Sequence, residues 1–484
     1  MINLSICMGW GLGNTYKWSQ GGDYLKIILI SSPTNRRQKP DFPPPGIAYL
    51  GAMAHQAGHE VLLIDSGLRT LSQIMQDVRE VSPDLVGVTC WTIDRNMVWE
   101  LCAALKEVAP KAFLFLGGPH ATMYPEHIFK KTHASAVIVG EGEETFAEFL
   151  ESLAEGKDLG DIAGMVLRNE DGNVFYTAPR APIQNINSIP RPYYAGFRHF
   201  SFSHYGGFPP LPRPTAAVIS SRGCVFDCNY CASVRFWGRR WRFRSPENVL
   251  EEIGWLVENL RVRSLYFFDD NFPVNKERAI AICEGIINNG WDLQWACCSH
   301  VKMMNRELLE VMKASGCVTI DFGVESGSNK ILKNINKRQT RKYIEKVFDL
   351  VHEIDILPRA YLMVGCPGEN ESTIDETIDL IGRIKPRSSI SANILWLLPG
   401  TAFYEDAVKN GYISEDYWLE SNEVPYNLQE HSLEELEALR RRLMFGIARK
   451  KGGLSPLVTY YLKIMYYKYP FLSIFRSLVP RQLR

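Results

Sequence analysis

Two stretches of this chain repeat one alternation, a short apolar run followed by a helical pattern, and a proline-punctuated connector separates them. The first stretch runs from YLKIILISS through PPPGIAYLGAMAHQAG, HEVLLID, SQIMQDVREVSP, DLVGVTCW, NMVWELCAALKEVAP and AFLFLGG to AVIVGEGEE and TFAEFLESL. Runs such as IILI and FLFL are apolar at every position rather than at every second one, so both of their faces need cover. Strands of that kind alternating with helices predict a parallel sheet with helices on either side. Residues 25–155 are therefore expected to form a Rossmann-like, doubly wound domain, preceded by an aperiodic extension at 1–24.

From 156 to 212 the pattern lapses. GMVLRNEDGNVFYTAP reads as a small hairpin around Glu170-Asp171-Gly172-Asn173, and IPRPYYAGF through FPPLPRP as an interdomain linker. The second alternation opens at TAAVISS. Its first helix is well marked, with Ser245 as N-cap, Pro246 at the first helical position, and Val249, Leu250, Ile253, Leu256, Val257 and Leu260 on one face. The runs SLYFFDDN, LQWACCSH, VTIDFGVES, RAYLMVG and SANILWLLPGT continue the series. Residues 213–404 are expected to form a partial (β/α)6 barrel of the TIM type, which makes the chain an α/β protein. Residues 405–484 read as a helical C-terminal region containing a capping box, Ser432 with Glu435.

Open α/β sheets and barrels both carry their ligands at the carboxyl ends of the strands. In the first stretch those ends hold Thr89 and Trp91, the pair Gly117 and Gly118, and the run Gly140, Glu141, Gly142 and Glu143. Paired glycines let a ligand approach the backbone closely. In the second stretch the same ends hold three cysteines, Asp269-Asp270-Asn271, His300, Glu325 and the GCPGE turn.

Composition narrows the function by exclusion. The formal net charge is +0, which gives no footprint for nucleic acid. No apolar run approaches the roughly 18–20 residues of a membrane span. The start, MINLSICMGWGLGN, lacks the basic and long apolar parts of a secretory signal. Eleven cysteines without export signals read as reduced thiols, so a cytoplasmic protein is expected. One asymmetry stands out: from Arg440 to Arg484 there are eleven Lys/Arg and no Asp/Glu, mixed with Tyr460, Tyr461, Tyr466, Tyr467, Tyr469, Phe471 and Phe475. Two readings stay open for this tail, a helical cap packed on the main body or a peripheral contact with an anionic membrane surface.

The sharpest local signal is SRGCVFDCNYCAS, which places Cys224, Cys228 and Cys231 within eight residues; the next cysteine, Cys283, lies far along the chain. Thiolates are soft ligands for zinc or iron–sulfur clusters, and both normally take four protein ligands. Three leave one coordination position free, unless a distant residue completes a zinc site or the thiols belong to the core.

The C-x3-C-x2-C spacing, with Tyr230 before the last cysteine, on the loop after the first strand of such a barrel, resembles the radical S-adenosylmethionine (SAM) superfamily. The resemblance implies a [4Fe–4S] cluster on Cys224, Cys228 and Cys231, whose open iron binds SAM. It implies that DFGVESGS, with Glu325 and Ser326, meets the ribose, and that YLMVGCPGE, with Gly365, flanks the adenine beside the backbone of Tyr230. The family's glycine-rich GGE segment is not evident; FFDDNF stands there, so Asp269 or Asp270 takes its place as partner of the methionine amino group. The first stretch, with VGVTCW, LGGPHAT and VGEGEETF, resembles the cobalamin-binding domain of class B members. That assigns Thr89, Gly117, Gly118, Gly140, Glu141 and Gly142 to the corrin, although no D-x-H-x-x-G is present. His59 and His120 read as structural. The implied activity is SAM cleavage to a 5′-deoxyadenosyl radical, followed by cobalamin-dependent C-methylation of an unactivated carbon in a small, lipid-like metabolite. Electrons would come from a donor such as flavodoxin or ferredoxin. The alternative within the same architecture is an oxidative cyclase or rearrangement enzyme, and a rival of another class is an electron-transfer or cluster-scaffold protein.

Overall fold

The computed structural model describes residues 24–34, 39–386, 391–427 and 429–450. The aromatic tail from Tyr460 and residues 1–23 of the expected extension lie outside them. Among the described residues no helix is long and apolar enough to cross a membrane.

The first domain is built on β1 (Lys26–Ile30), β2 (Glu60–Ile64), β3 (Leu85–Thr89), β4 (Phe113–Gly117) and β5 (Ala136–Ile138). These pair in parallel in the order β2-β1-β3-β4-β5, with Ile27 beside Leu85 and Leu85 beside Phe113. Helices cover both faces. On one, Phe115 packs against Phe146 and Phe149 of helix Gly142–Glu155 with ring centroids 5.4 and 5.8 Å apart. Burying an aromatic side chain of this size contributes about 1.5–3 kcal/mol. Thr70 and Gln73 close a reciprocal capping box at the start of helix Leu71–Val81.

The hairpin expected inside the linker belongs to this first sheet. β6 (Met165–Arg168) pairs antiparallel with β5, and β7 (Val174–Tyr176) pairs antiparallel with β6, extending the sheet to seven strands. The reason is hydrophobic: Met165, Val166 and Leu167 are fully buried, which no isolated linker hairpin allows. The linker proper begins after β7. Two short helices, Pro119–Met123 and Pro125–Lys131, also follow β4, each with proline in its first turn.

The second domain carries β8 (Thr215–Val218), the two-residue strands β9 (Ser221–Arg222) and β10 (Arg242–Phe243), then β11 (Ser264–Phe267), β12 (Gln294–Ser299), β13 (Cys317–Glu325), β14 (Leu357–Val364) and β15 (Ser391–Ile394). Six of these form one parallel sheet in the order β8-β11-β12-β13-β14-β15, a curled half-barrel with β8 and β15 as its edges. Inside it, the Asp321 carboxylate accepts from the hydroxyls of Tyr266 and Tyr361 at 3.1 and 3.0 Å, with Arg359 3.3 Å away. β9 and β10 form a separate antiparallel ladder, Arg222 opposite Arg242, that brackets the cysteine loop. The last described helix, Leu433–Lys450, returns to helix Glu371–Ile384, where Arg442 pairs with Glu371 and Asp375.

The carboxyl rims of the two sheets are joined. Arg95 reaches from the first domain to the Trp418 carbonyl at 2.7 Å, and the Tyr124 hydroxyl donates to that of Tyr404 at 2.8 Å. Phe42, from the loop after β1, lies 5.6 Å from Tyr266 and 6.4 Å from Phe268, over the barrel strands.

Candidate active site at the facing rims

The cysteine loop leaves β9 through Gly223, whose φ of +88° suits glycine, and an added Cβ would stand 2.5 Å from the Arg240 carbonyl oxygen. From there the loop is pinned by the turn at 334–338. Asn229 donates from its backbone to the Ile335 carbonyl at 3.2 Å and from its side chain to that of Asn334. Asn336 donates to the Asp227 side chain at 3.0 Å, and Arg338 pairs with the same carboxylate. The Phe226 ring stacks on His300 with centroids 3.9 Å apart. The His300 Nδ1 accepts from the Lys302 amide, so its Nε2–H donates to the Lys337 carbonyl. Burial lowers His300 to about 4, so the ring is neutral and serves as a strut.

Cys224, Cys228 and Cys231 are all partly exposed and within electrostatic range of one another. Burial of the sulfurs pushes the three thiols up, Cys231 to about 11. Unaided, the loop keeps them protonated at neutral pH, and ionisation is coupled to binding a cation. Among the described residues no set of three or more His, Cys, Asp or Glu stands ready-made around a metal position. The donor set nonetheless fits a cluster held at three corners: three soft thiols share one short, pinned loop. A zinc site completed by a distant histidine or cysteine finds no support in this arrangement.

Across the loop stands an arrangement that the sequence only half reveals. The Lys337 ammonium donates to Glu325 Oε1 at 2.9 Å and to the Tyr230 hydroxyl at 3.0 Å, while that hydroxyl donates to Glu325 Oε1 at 2.9 Å. Burial alone would lower Lys337, but the charge and hydrogen bond of Glu325 outweigh it and hold the lysine above its ordinary value. Glu325 ends β13 at φ +63°, a strained conformation for a glutamate, beside a register shift against β14. Gly323 makes the pair fit, since a Cβ there would come 2.5 Å from Glu325 Oε1 and 2.6 Å from Lys337 Nζ. Lys337 carries no motif; its signal is spatial, twelve residues past Glu325 and after a helical turn.

Three expected contacts are engaged elsewhere. Asp269 is buried, and its carboxylate accepts from the Ser220 amide at 2.7 Å and from both the Ser220 and Ser221 hydroxyls at 2.6 Å. It braces the start of the cysteine loop, and the neighbouring, exposed Asp270 is the carboxylate at the rim, held by the Ser233 hydroxyl at 2.7 Å. Ser326 is buried against Thr377 and accepts from the Ser328 amide, so it shapes the turn rather than facing a ligand. Glu141 turns toward arginines of the second domain, 2.7 Å from Arg222 and 2.5 Å from Arg242. Gly365 stays on the rim at φ +91°, its N–H donating to Glu369 Oε2 and its carbonyl accepting from Asn427.

The first domain's rim has a different texture. Gly118 sits at φ +92°, where a Cβ would come 2.9 Å from Thr89 Cγ2 and 3.2 Å from the Cys90 backbone. Gly140, at φ +78°, has open space at the Cβ position. Gly117 closes β4, Thr89 closes β3, and Gly142 opens a helix. Trp91 stands 51% exposed on this rim and Phe268 51% exposed on the other. The crevice that an open α/β sheet offers outside its strands' carboxyl ends is bordered here by Gly117, Gly118 and Gly140, a backbone surface that suits a broad, flat ligand. His120, fully buried against Trp99, Tyr124 and His127, does not reach that crevice as a metal ligand; burial lowers it to about 3.

Glycines line one rim, and three thiols on a short pinned loop stand at the other, in a half-barrel. Family models match both parts: residues 218–381 match the radical SAM superfamily and residues 34–150 match the B12 binding domain. An uncharacterized methyltransferase of Pyrococcus horikoshii is 32% identical over 402 residues, covering 81% of this chain and 85% of that protein. An anaerobic magnesium-protoporphyrin IX monomethyl ester cyclase of Rubrivivax gelatinosus is 26% identical, covering 70% of this chain and 61% of its own length. In fold, the chain matches the radical SAM methyltransferase TsrM from Kitasatospora setae, solved with cobalamin and a [4Fe–4S] cluster, at a TM-score of 0.66 and 18% identity, over 80% of this chain and 75% of that one. The chain belongs to the radical SAM superfamily, in the class B branch that joins a cobalamin-binding domain to the radical SAM core. Its cofactors are a [4Fe–4S] cluster, SAM and cobalamin.

Proposed function

We propose that this enzyme methylates an unactivated carbon of a small, largely hydrophobic molecule, held between the two rims. The observation that carries the reading is Phe42: a residue of the first domain's ligand edge lies against Phe208, Tyr266 and Phe268, so one aromatic wall serves both the crevice and the barrel. Methyl transfer needs a substrate that touches both cofactors, and such a wall excludes water from the space between them. When bound, the cluster and SAM supply a 5′-deoxyadenosyl radical that removes hydrogen from the substrate, and cobalamin supplies the methyl group. The chain's own residues bind and orient. Cys224, Cys228 and Cys231 hold the cluster, Asp270 receives the SAM amino group, and Glu325, fixed by Lys337 and Tyr230, accepts from the ribose hydroxyls. Gly365 lets the adenine lie on the backbone, and Thr89, Gly117, Gly118, Gly140 and Gly142 give the corrin its clearance. A low-potential donor such as flavodoxin or ferredoxin supplies the electrons. The basic, aromatic segment beyond the described residues would dock the enzyme to the cytoplasmic face of a membrane, where a lipid-like substrate resides.

Anaerobic reconstitution with iron, sulfide and cobalamin, followed by SAM, dithionite as reductant and a lipid extract as the source of substrate, tests this reading. One SAM should end as 5′-deoxyadenosine and methionine, and a second as S-adenosylhomocysteine. Formation of 5′-deoxyadenosine without S-adenosylhomocysteine would favour ring closure, in line with the cyclase relatives.

A further inference from the structure

Glu141 follows Gly140 at the edge of the first domain's crevice, yet its side chain leaves that crevice. Its Oε1 accepts from Arg222 Nη1 at 2.7 Å, and its Oε2 accepts from Arg242 Nη1 at 2.5 Å and from the Ile183 amide at 2.8 Å. Glu143, the second residue of the following helix, accepts from Arg222 Nη2 at 2.5 Å. All four side chains are at most 10% exposed. The two arginines sit opposite each other on β9 and β10, the ladder that enters and leaves the cysteine segment. Arg222 stands two residues before Cys224, and the intervening Gly223 is locked under the Arg240 carbonyl. The path from crevice to cluster loop is therefore one short, stiff run: Glu141, Arg222, Gly223, Cys224.

Such a cluster of two carboxylates and two guanidiniums is a weak device for stability, because desolvating the four charges offsets most of their attraction. What it does supply is direction. Planar guanidinium forks bind carboxylates in fixed geometry, so the two rims lose freedom to slide or open relative to one another.

We propose that Glu141 and Arg222 are positioning residues that set the spacing between the cobalamin crevice and the cluster loop. This rests on the proposed methylation, since the spacing matters when both cofactors serve one substrate. Misplacement of reacting groups by about 1 Å can cost on the order of a hundredfold in rate. A loosened clamp should therefore leave SAM cleavage intact while the substrate radical misses its methyl donor.

The test uses full-length enzyme, reconstituted with both cofactors, as wild type, Glu141→Gln and Glu141→Asp. Each is assayed for iron and cobalamin content, for 5′-deoxyadenosine, and for S-adenosylhomocysteine. The magnetic relaxation between reduced cluster and cob(II)alamin is measured by electron paramagnetic resonance. Glu141→Gln should bind both cofactors and cleave SAM at nearly the wild-type rate. Its ratio of S-adenosylhomocysteine to 5′-deoxyadenosine should fall at least about tenfold, with altered spin relaxation, and Glu141→Asp should recover part of it. A ratio that stays constant while both products fall together would mark Glu141 as structural only and overturn the proposal. So would unchanged relaxation. Should the wild type itself form no S-adenosylhomocysteine, the methylation reading fails while the relaxation measurement still decides the clamp. If Glu141→Gln does not fold, Arg222→Lys, which keeps the charge but loses the two-nitrogen grip on Glu141 and Glu143, is read in the same way.

Discussion

The two rims face each other across one site and are built on opposite principles. The first domain's rim is made of backbone: Gly117, Gly118 and Gly140 stand on it, and its carboxylates Glu141 and Glu143 are drawn off into the interdomain clamp. The barrel's rim is made of side chains: three thiols, the Tyr230–Glu325–Lys337 group, exposed Asp270, and Glu369 under the Gly365 amide. On the proposed reading a broad, flat cofactor would be admitted by clearance, whereas a small charged one and a metal cluster would be held by directed donors and acceptors. Changes at the first rim should accordingly act through sterics, and changes at the second through charge.

The largest effect is expected at the second rim. Replacing Cys224, Cys228 and Cys231 together by alanine should remove the iron and acid-labile sulfide, the visible absorbance and all 5′-deoxyadenosine formation. Cobalamin binding at the first rim should survive, and equilibrium dialysis checks that. Loss of both together would mean that the rims are not separable.

Next comes the buried pair. Lys337→Met strands the Glu325 carboxylate in a site where both side chains are about one-tenth exposed. Removing one partner of a buried ion pair typically costs about 3–5 kcal/mol. Denaturant unfolding of the cofactor-free protein should show that loss, and Lys337→Met with Glu325→Gln should regain part of it, because the stranded charge is gone.

Much of this contrast is legible in the sequence, and the missing part has a physical reason. Apolar runs and caps carry local information, which is why KIILI and FLFL become β1 and β4 and Ser245 caps helix Pro246–Leu260. The spacing of Cys224, Cys228 and Cys231 is local information of the same kind, and it marks the loop proposed to hold the cluster. The hairpin of β6 and β7 is misplaced because the pairing of β6 with β5 spans residues far apart in sequence, and no local pattern reports a partner. Lys337, the bracing role of Asp269 and the outward turn of Glu141 are likewise hidden. Each depends on which residue of another element lies opposite, a property of packing rather than of periodicity.

At the first rim, Gly118→Ala sharpens the steric side of the comparison. The substitution forces a side chain into φ +92° and against Thr89 and the Cys90 backbone. A strained backbone of this kind costs about 1–3 kcal/mol. Thermal unfolding should register that loss, and cobalamin affinity should fall while the iron content stays unchanged. If affinity is kept despite the strain, backbone clearance at this glycine is not what admits the corrin.

The last contrast is a pH dependence at the second rim. Burial raises the Glu369 carboxyl to about 7, against the lowering pull of the Gly365 and Cys366 amides. The folded chain therefore binds this proton more tightly than the unfolded chain does. Its contribution to stability is fully present below the ordinary glutamate range and is lost as pH rises through about 7. Across that window the loss should be on the order of 3 kcal/mol, given 1.36 kcal/mol per unit and the rise from the ordinary 4.5 to about 7. Glu369→Gln, which stays neutral and can still accept from the Gly365 amide, should remove this slope and be relatively more stable at pH 8 than at pH 5. Chemical unfolding of wild type and variant at both values decides the matter. Parallel curves would mean that the charge at this turn is already solvated, and that the electrostatic character of the barrel rim resides in the thiols and the Glu325 group alone.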